Sequence, residues 1–482
     1  MTNKNKIAFI ETNPPHLRGS FTKCNGLEPY GLELLAASVQ NEFGVKVFQQ
    51  EGAPDENFVR EILDFSPDVA AFSCMTYNYN SSIKLAQLAK KQNLNIKIIV
   101  GGSHISSCSD ALMDSLEKGI IDYGIVGEGD SSFRELAKRL SLNQNSNDIP
   151  NLVYYKDGNF RSNPRAERIS ALDSLPFAFR DGNILGQTKI GQIMKPAQSE
   201  QIATATVSYS RGCPFSCTYC DSKNIWGNNV VWRSASNVVD EIKQLKKEYG
   251  TNTVLFSDLT FNANPNKVKD LCNELIARNA GVSWYVLARA ATPDGTRPLV
   301  DRDLLSLMYE AGCRKIGYGL ESVIPEVQRE FKKVVPNELI ANLVQRGHEL
   351  GILNKGFVIL GNSKYESPET ARRTLDVLKQ IRFDEIRTSF LTPFPGSKLY
   401  NDAKKNGDLL TNDFSRYTTD EPVLKCEKLT PEELVEARKQ ITRGYYTSKE
   451  YQDLVEDKVT RFPNLKKSYV EHHQLLRKNK II

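Results

Sequence analysis

Residues 210–222 read SRGCPFSCTYCDS, which sets Cys213, Cys217 and Cys220 in a CxxxCxxC arrangement. Three thiolates on one short loop can converge on a single inorganic centre, and soft sulfur ligands suit zinc or iron–sulfur sites. A structural zinc closes its tetrahedron with four protein ligands. The next Cys, Cys272, lies more than fifty positions away, and Cys108 and His104 lie farther still. Chance clustering, a zinc site and an iron–sulfur cluster with one open iron all remain compatible with these residues. The missing fourth ligand favours the last. Cys24, Cys74, Cys108, Cys272, Cys313 and Cys426 are scattered singly and read as buried hydrophobes.

The elements that must position this loop come in two alternating series. Short apolar runs at Ile7–Ile10, Val45–Phe48, Val69–Cys74, Lys97–Val100 and Tyr123–Val126 alternate with amphipathic stretches. That spacing predicts a doubly wound α/β sheet, which binds ligands beyond the carboxyl ends of its strands. The loops to watch are then Asn13–Leu17, Met75–Asn80, Gly101–Ser107 and Gly127–Ser132. Asp157-Gly158, between Leu152–Tyr155 and Phe160, predicts a hairpin. The Pro-rich passage from Asn163 to Gln201 reads as a linker. A second series follows, with strands expected at Thr206–Ser210, Thr253–Ser257, Trp284–Leu287, Lys315–Gly319, Gly356–Leu360 and Glu385–Ser389. Six such units predict a partial or complete (β/α) barrel with its chemistry at the strand carboxyl ends. The cysteine loop follows the first of these strands. We place domain boundaries at 1–150, a hairpin and linker at 151–202, the barrel at 203–425, and a helical C-terminal segment at 426–482.

Composition narrows the function classes. The net charge of +5 arises from 63 basic and 58 acidic residues interspersed along the chain, unlike the clustered basic face of a nucleic-acid binder. The basic tail (Lys466, Lys467, Arg477, Lys478, Lys480) reads as a solvated helix end. No stretch approaches the ~20 apolar residues that span a bilayer, and the N-terminus lacks a secretory pattern. A cytoplasmic location is expected, where thiols stay reduced and nine cysteines do not form a disulfide framework.

With CxxxCxxC after the first barrel strand and Tyr219 before the last cysteine, the chain resembles the radical S-adenosylmethionine superfamily. The resemblance implies a 4Fe-4S cluster whose open iron is chelated by the methionine moiety of S-adenosylmethionine. One electron then cleaves the sulfonium to a 5′-deoxyadenosyl radical. The resemblance also implies roles for strand-end residues. Phe256-Ser257-Asp258 takes the place of the segment that contacts the methionine amine, although the usual Gly-Gly-Glu is absent. The other reading of Asp258 is a helix cap. Arg289 could hold the methionine carboxylate or make a core ion pair. Glu321, in Tyr318–Ser322, matches a Gly-x-Glu-Ser segment. Gly356–Gly361 (GFVILG) resembles the adenine-side strand, where missing side chains admit a flat ring.

The first domain resembles the cobalamin-binding domain fused to one large subfamily of these enzymes. The matching residues are NPP at Asn13–Pro15, PYGLELLAAS at Pro29–Ser38, IVGGSHIS at Ile99–Ser106 and DYGIVGEGD at Asp122–Asp130. By resemblance Gly101, Gly102, His104 and Ser106 would cradle the nucleotide tail, and Gly127 and Gly129 would lie near the corrin edge. Tight strand-to-helix turns are the other reading of these glycines. The Asp-x-His-x-x-Gly pattern of histidine-ligated cobalamin domains is absent, and His16 and His104 are the only histidines of the domain. Many members of the subfamily lack that histidine and still bind cobalamin. His16 is placed to face cobalt or substrate, or to be a solvated loop residue.

The resemblance implies methylation of an unactivated carbon of a small-molecule substrate, with electrons from a carrier such as flavodoxin or ferredoxin. Ring formation and rearrangement are related outcomes. A tRNA methylthiotransferase would need three further clustered cysteines, whereas Cys24, Cys74 and Cys108 stand far apart. A non-catalytic cobalamin or redox sensor would need no intact S-adenosylmethionine pocket.

Overall fold

The computed structural model describes residues 4–13, 28–180, 204–362 and 364–482. The first sheet contains β1 (Lys6–Asn13), β2 (Gly44–Glu51), β3 (Val69–Ser73), β4 (Lys97–Gly101) and β5 (Tyr123–Ile125). They run parallel in the order β2-β1-β3-β4-β5. Side-chain alternation along each strand feeds two apolar layers. Ala8, Ile10, Phe72 and Val100 pack on one face, and Ile7, Phe9, Ala71 and Ile99 on the other. Burial on both faces is why these strands read as continuous apolar runs.

The hairpin β6 (Leu152–Lys156) and β7 (Asn159–Ser162) adds to the edge of β5 in antiparallel fashion. Its turn residues Asp157 and Gly158 have φ of 51° and 74°, as a type I′ turn requires. The hairpin, in the stretch 151–202 read as hairpin and linker, completes the first sheet.

In the second series β8 (Thr204–Val207) is followed by a two-stranded ribbon, β9 (Ser210–Arg211) and β10 (Val231–Trp232). Then come β11 (Thr253–Phe256), β12 (Ser283–Ala288), β13 (Cys313–Glu321), β14 (Leu353–Leu360) and β15 (Glu385–Phe390). The sheet is wholly parallel in the order β8-β11-β12-β13-β14-β15, with β8 and β15 as unjoined edges. Of the two barrel forms expected, this is the partial one. Its open edge at β15 is covered by Tyr446, whose hydroxyl accepts from the Ile386 amide at 2.9 Å and donates to the Ile386 carbonyl at 3.2 Å. Pairing those groups removes a template for strand addition.

Helices Pro431–Tyr446, Lys449–Arg461 and Lys466–Lys478 form the expected C-terminal segment. They dock through buried Lys458, which donates to both Asp384 oxygens at 2.7 and 2.8 Å. Near the amino ends of the barrel strands, Lys315 and Lys355 converge on Glu385 at 2.6 and 2.5 Å. This charged layer lies at the end opposite the cysteine loop. Among the described residues, no helix is long and apolar enough to cross a membrane.

Candidate functional site

The ribbon β9–β10 closes the base of the segment that carries the cysteines, pairing Arg211 with Val231. Within it, Cys213 and Cys217 are half-buried and Cys220 is exposed. The Thr218 amide donates to the Phe331 carbonyl at 3.3 Å, and its own carbonyl accepts from Leu399 at 3.0 Å. The Tyr219 ring packs against Phe331 at 5.0 Å. Burial, the Glu321 carboxylate and the neighbouring Cys217 and Cys220 thiols raise the Tyr219 hydroxyl's pKa, keeping it neutral. Among the described residues, no three His, Cys, Asp or Glu side chains close on one metal ion. Three thiols that ligate three separate irons need not share one point. Three cysteines with no fourth Cys or His on the loop suit a cluster with one open iron, since a structural zinc takes four protein ligands.

Arg289 meets the loop from β12. Its guanidinium is 3.6 Å from the Cys217 sulfur and stacks 4.3 Å over the Phe215 ring. Glu321 accepts from Lys333 at 2.6 Å and has φ of 61°. That is a left-handed conformation, costly for a residue with a Cβ and concentrated at functional sites. Ser257 is exposed at the end of β11 and faces the cavity described below.

Asp258 is 2% exposed and its oxygens accept from the Tyr209 amide at 3.0 Å and the Ser210 hydroxyl at 2.5 Å. It holds the entry to the cysteine loop, and the following helix is capped by Asn264 instead. Burial raises the pKa of Asp258 to about 6. On the strand expected beside the adenine, a Cβ at Gly356 would stand 2.6 Å from the ring of Phe383, so this glycine admits a ring of the protein itself. Gly361, with φ of 94°, donates its amide to Glu366 at 3.0 Å and faces Leu434 of the C-terminal helices.

A cavity of about 270 Å³ lies between the two sheets. Gly101, Gly102, Gly127 and Gly129 line it from the first domain, with Leu35 and Phe133, and Ser208, Ser257 and Leu259 line it from the second. A Cβ at Gly31 would project into open space on the same wall. An apolar cleft framed by glycines at strand ends fits a large, flat macrocycle with little room for side chains. Gly102 itself serves the protein first. Its φ is 105°, and a Cβ there would stand 2.7 Å from the Cys74 carbonyl oxygen. Ser106 does not reach into the cavity with its hydroxyl. It donates to the Gly102 carbonyl at 2.8 Å and accepts from the Gly127 amide at 2.9 Å, clamping the two loops together.

His104 lies inside the protein, packed among aromatic rings. It is fully buried, with its ring 4.4 Å from Tyr79 and 4.6 Å from Phe414, and Nδ1 3.3 Å from the Thr76 hydroxyl. Burial lowers its pKa to about 4. It packs where a barrel segment rests on the first domain. His16, Cys24 and most of the NPP motif lie outside the described residues, as do residues 181–203 of the linker.

Several residues of the site carried no signal in our reading. Arg165, Arg168 and Arg180 lie in the passage expected to be a linker, yet each bridges the domains. Arg180 donates to Glu33 at 2.5 Å and to the Thr206 carbonyl at 2.6 Å, with Glu28 at 3.2 Å. Arg211, two residues before Cys213, is bidentate to Asp130 at 2.9 and 3.1 Å. A basic residue beside each end of the cysteine motif was the available clue.

Residues 25–137 match the family described as B12 binding domain, and residues 207–378 match the Radical SAM superfamily. An uncharacterized methyltransferase of Pyrococcus horikoshii is 27% identical, over 87% of each chain. The anaerobic magnesium-protoporphyrin IX monomethyl ester cyclase of Rubrivivax gelatinosus is 25% identical, over 82% of this chain and 69% of its own. In fold, the radical S-adenosylmethionine methyltransferase TsrM of Kitasatospora setae, solved with cobalamin and a 4Fe-4S cluster, superposes with a TM-score of 0.66. That match has 19% identity and covers 90% of this chain and 85% of TsrM.

Proposed function

This chain belongs to the cobalamin-binding radical S-adenosylmethionine enzymes, and from that premise we propose that it methylates an unactivated carbon of a small-molecule substrate. The observation that carries the reading is the shared cavity. The glycine loops of the first sheet and the strand ends beside the cysteine loop open on the same space. A 4Fe-4S cluster supplies the electron that cleaves S-adenosylmethionine to a carbon radical, and cobalamin supplies a methyl carrier.

The chain's own residues do the rest. Cys213, Cys217 and Cys220 hold the cluster, leaving one iron for S-adenosylmethionine. Arg289, 3% exposed, brings a fixed positive charge to the anionic cluster from the protein side. Leu259 and Leu287, exposed at the ends of β11 and β12, present apolar surface toward the substrate side. Such a lining disfavours water at the reacting centre. A flavodoxin- or ferredoxin-type carrier delivers the electrons.

The test is anaerobic reconstitution with iron, sulfide and hydroxocobalamin, followed by product analysis with S-adenosylmethionine and reductant. We expect about four irons and four sulfides per chain and one corrinoid. With substrate, S-adenosylhomocysteine and 5′-deoxyadenosine should accumulate about equally, since methylation of cobalt and hydrogen abstraction each use one S-adenosylmethionine. A protein with neither cluster nor corrinoid would overturn the reading. The cyclase relative favours a second one, ring formation, and substrate-dependent deoxyadenosine without S-adenosylhomocysteine would select it.

A further inference from the structure

We infer that the cysteine loop supplies one wall of the cobalamin cavity through Trp226, and that occupancy of the two cofactor sites is thereby coupled. This rests on the reading that the cavity holds cobalamin. The short helix Lys223–Trp226 begins three residues after Cys220. Its Ile225 and Trp226 line the same cavity as Gly101, Gly102 and Gly127, and a Cβ at Gly127 would stand 4.0 Å from the Ile225 carbonyl oxygen. Trp226 is only half-buried, whereas Trp284 is 1% exposed in the barrel core. A large aromatic side chain left partly open beside an apolar cleft is a contact surface for a flat ligand.

Three arginines hold this segment against the cobalamin-side loops. Arg168 and Arg211 lie 5.7 and 5.8 Å from the Trp226 ring. Arg168 reaches Glu128 at 3.4 Å and the Asn229 carbonyl at 2.5 Å. Arg211 takes Asp130 in two bonds of 2.9 and 3.1 Å. Arg165 donates to the Ser106 carbonyl at 3.1 Å and also to the Asn224 carbonyl. Asn224 in turn donates to the Ser107 hydroxyl at 3.1 Å. Every bond joins a residue between 211 and 229, directly or through Arg165 or Arg168, to a loop that follows β4 or β5.

Ligation of the three cysteines fixes the segment that carries Trp226. Without the cluster, cobalamin binding must order that segment itself, and the ordering weakens the observed affinity. Linkage makes the effect reciprocal, so cobalamin also favours the cluster-loaded loop.

The experiment is a hydroxocobalamin titration followed by corrin absorbance. It uses the cluster-loaded protein, the same protein stripped of iron by chelator, and W226A and W226F in both forms. We expect iron removal to weaken cobalamin binding at least about fivefold. W226A should weaken it about tenfold when the cluster is present and less than about twofold when it is absent, the signature of coupling in a double cycle. W226F should restore most of the loss. Circular dichroism and iron content confirm that the variants fold and load. Equal affinities across all forms would overturn the coupling alone. No cobalamin bound by the wild-type protein would overturn the cavity assignment and the inference with it.

Discussion

Arg289 places its guanidinium 3.6 Å from the sulfur of Cys217, so the third barrel strand delivers a positive charge to the middle ligand of the cysteine motif. A cluster held by three thiolates carries net negative charge, and reduction adds one more. The nearby cation eases that step. R289M should lower the cluster's reduction potential by on the order of 100 mV, read by a redox titration followed by electron paramagnetic resonance. An unchanged potential would show that the guanidinium only braces Phe215.

Replacing Cys213, Cys217 and Cys220 together by Ala should remove iron and sulfide in equal proportion. A full cluster retained in the triple variant would refute the assignment.

Gly102 tests whether the loop after β4 is shaped by the protein or by its ligand. A Cβ there meets the Cys74 carbonyl oxygen at 2.7 Å, in a backbone conformation with φ of 105°. G102A should lower stability by about 1–3 kcal/mol before any ligand is added, measured by denaturant unfolding of the cofactor-free protein. If stability is unchanged and only cobalamin affinity falls, the glycine serves the cofactor directly.

His104 offers a pH test. Its folded pKa is about 4, against an ordinary value of 6.5. Between those values the unfolded chain binds the proton and the folded chain does not, so stability is present above pH 6.5 and is lost as the pH falls toward 4. H104F keeps the ring between Tyr79 and Phe414 and removes the proton site. It should change stability at neutral pH by less than about 1 kcal/mol, flatten part of this acid slope, and leave cobalamin binding intact. Loss of corrinoid in H104F would show that His104 helps hold the cofactor.

What the sequence carried, it carried locally. Runs such as Ile7–Ile10 and Lys97–Val100 mark strands because burial on both faces leaves no polar alternation, and the cysteine spacing is legible within the eight residues from Cys213 to Cys220. Other residues have partners that no local pattern announces. Asp258 turns to Tyr209 and Ser210, His104 to Phe414, and Gly356 to Phe383. No local pattern distinguishes an aspartate at a strand end that binds a ligand from one that binds backbone. Arg165, Arg168 and Arg180 sit in a stretch without periodicity, where composition signals a connector and says nothing of what the side chains reach.

Arg180 has one more consequence, for how such a protein can be taken apart. Its side chain is 2% exposed, and the carboxylates of Glu28 and Glu33 that receive it are wholly buried. Separating Arg180 from the first domain would leave Glu28 and Glu33 without its guanidinium, a loss of about 3–5 kcal/mol against a typical domain stability of about 5–15 kcal/mol. The seam between the halves is therefore a poor place to cut. A chimaera that transplants this barrel onto another corrinoid domain has to bring compatible residues at positions 28, 33 and 180 with it, so the two halves are best exchanged as a single cassette.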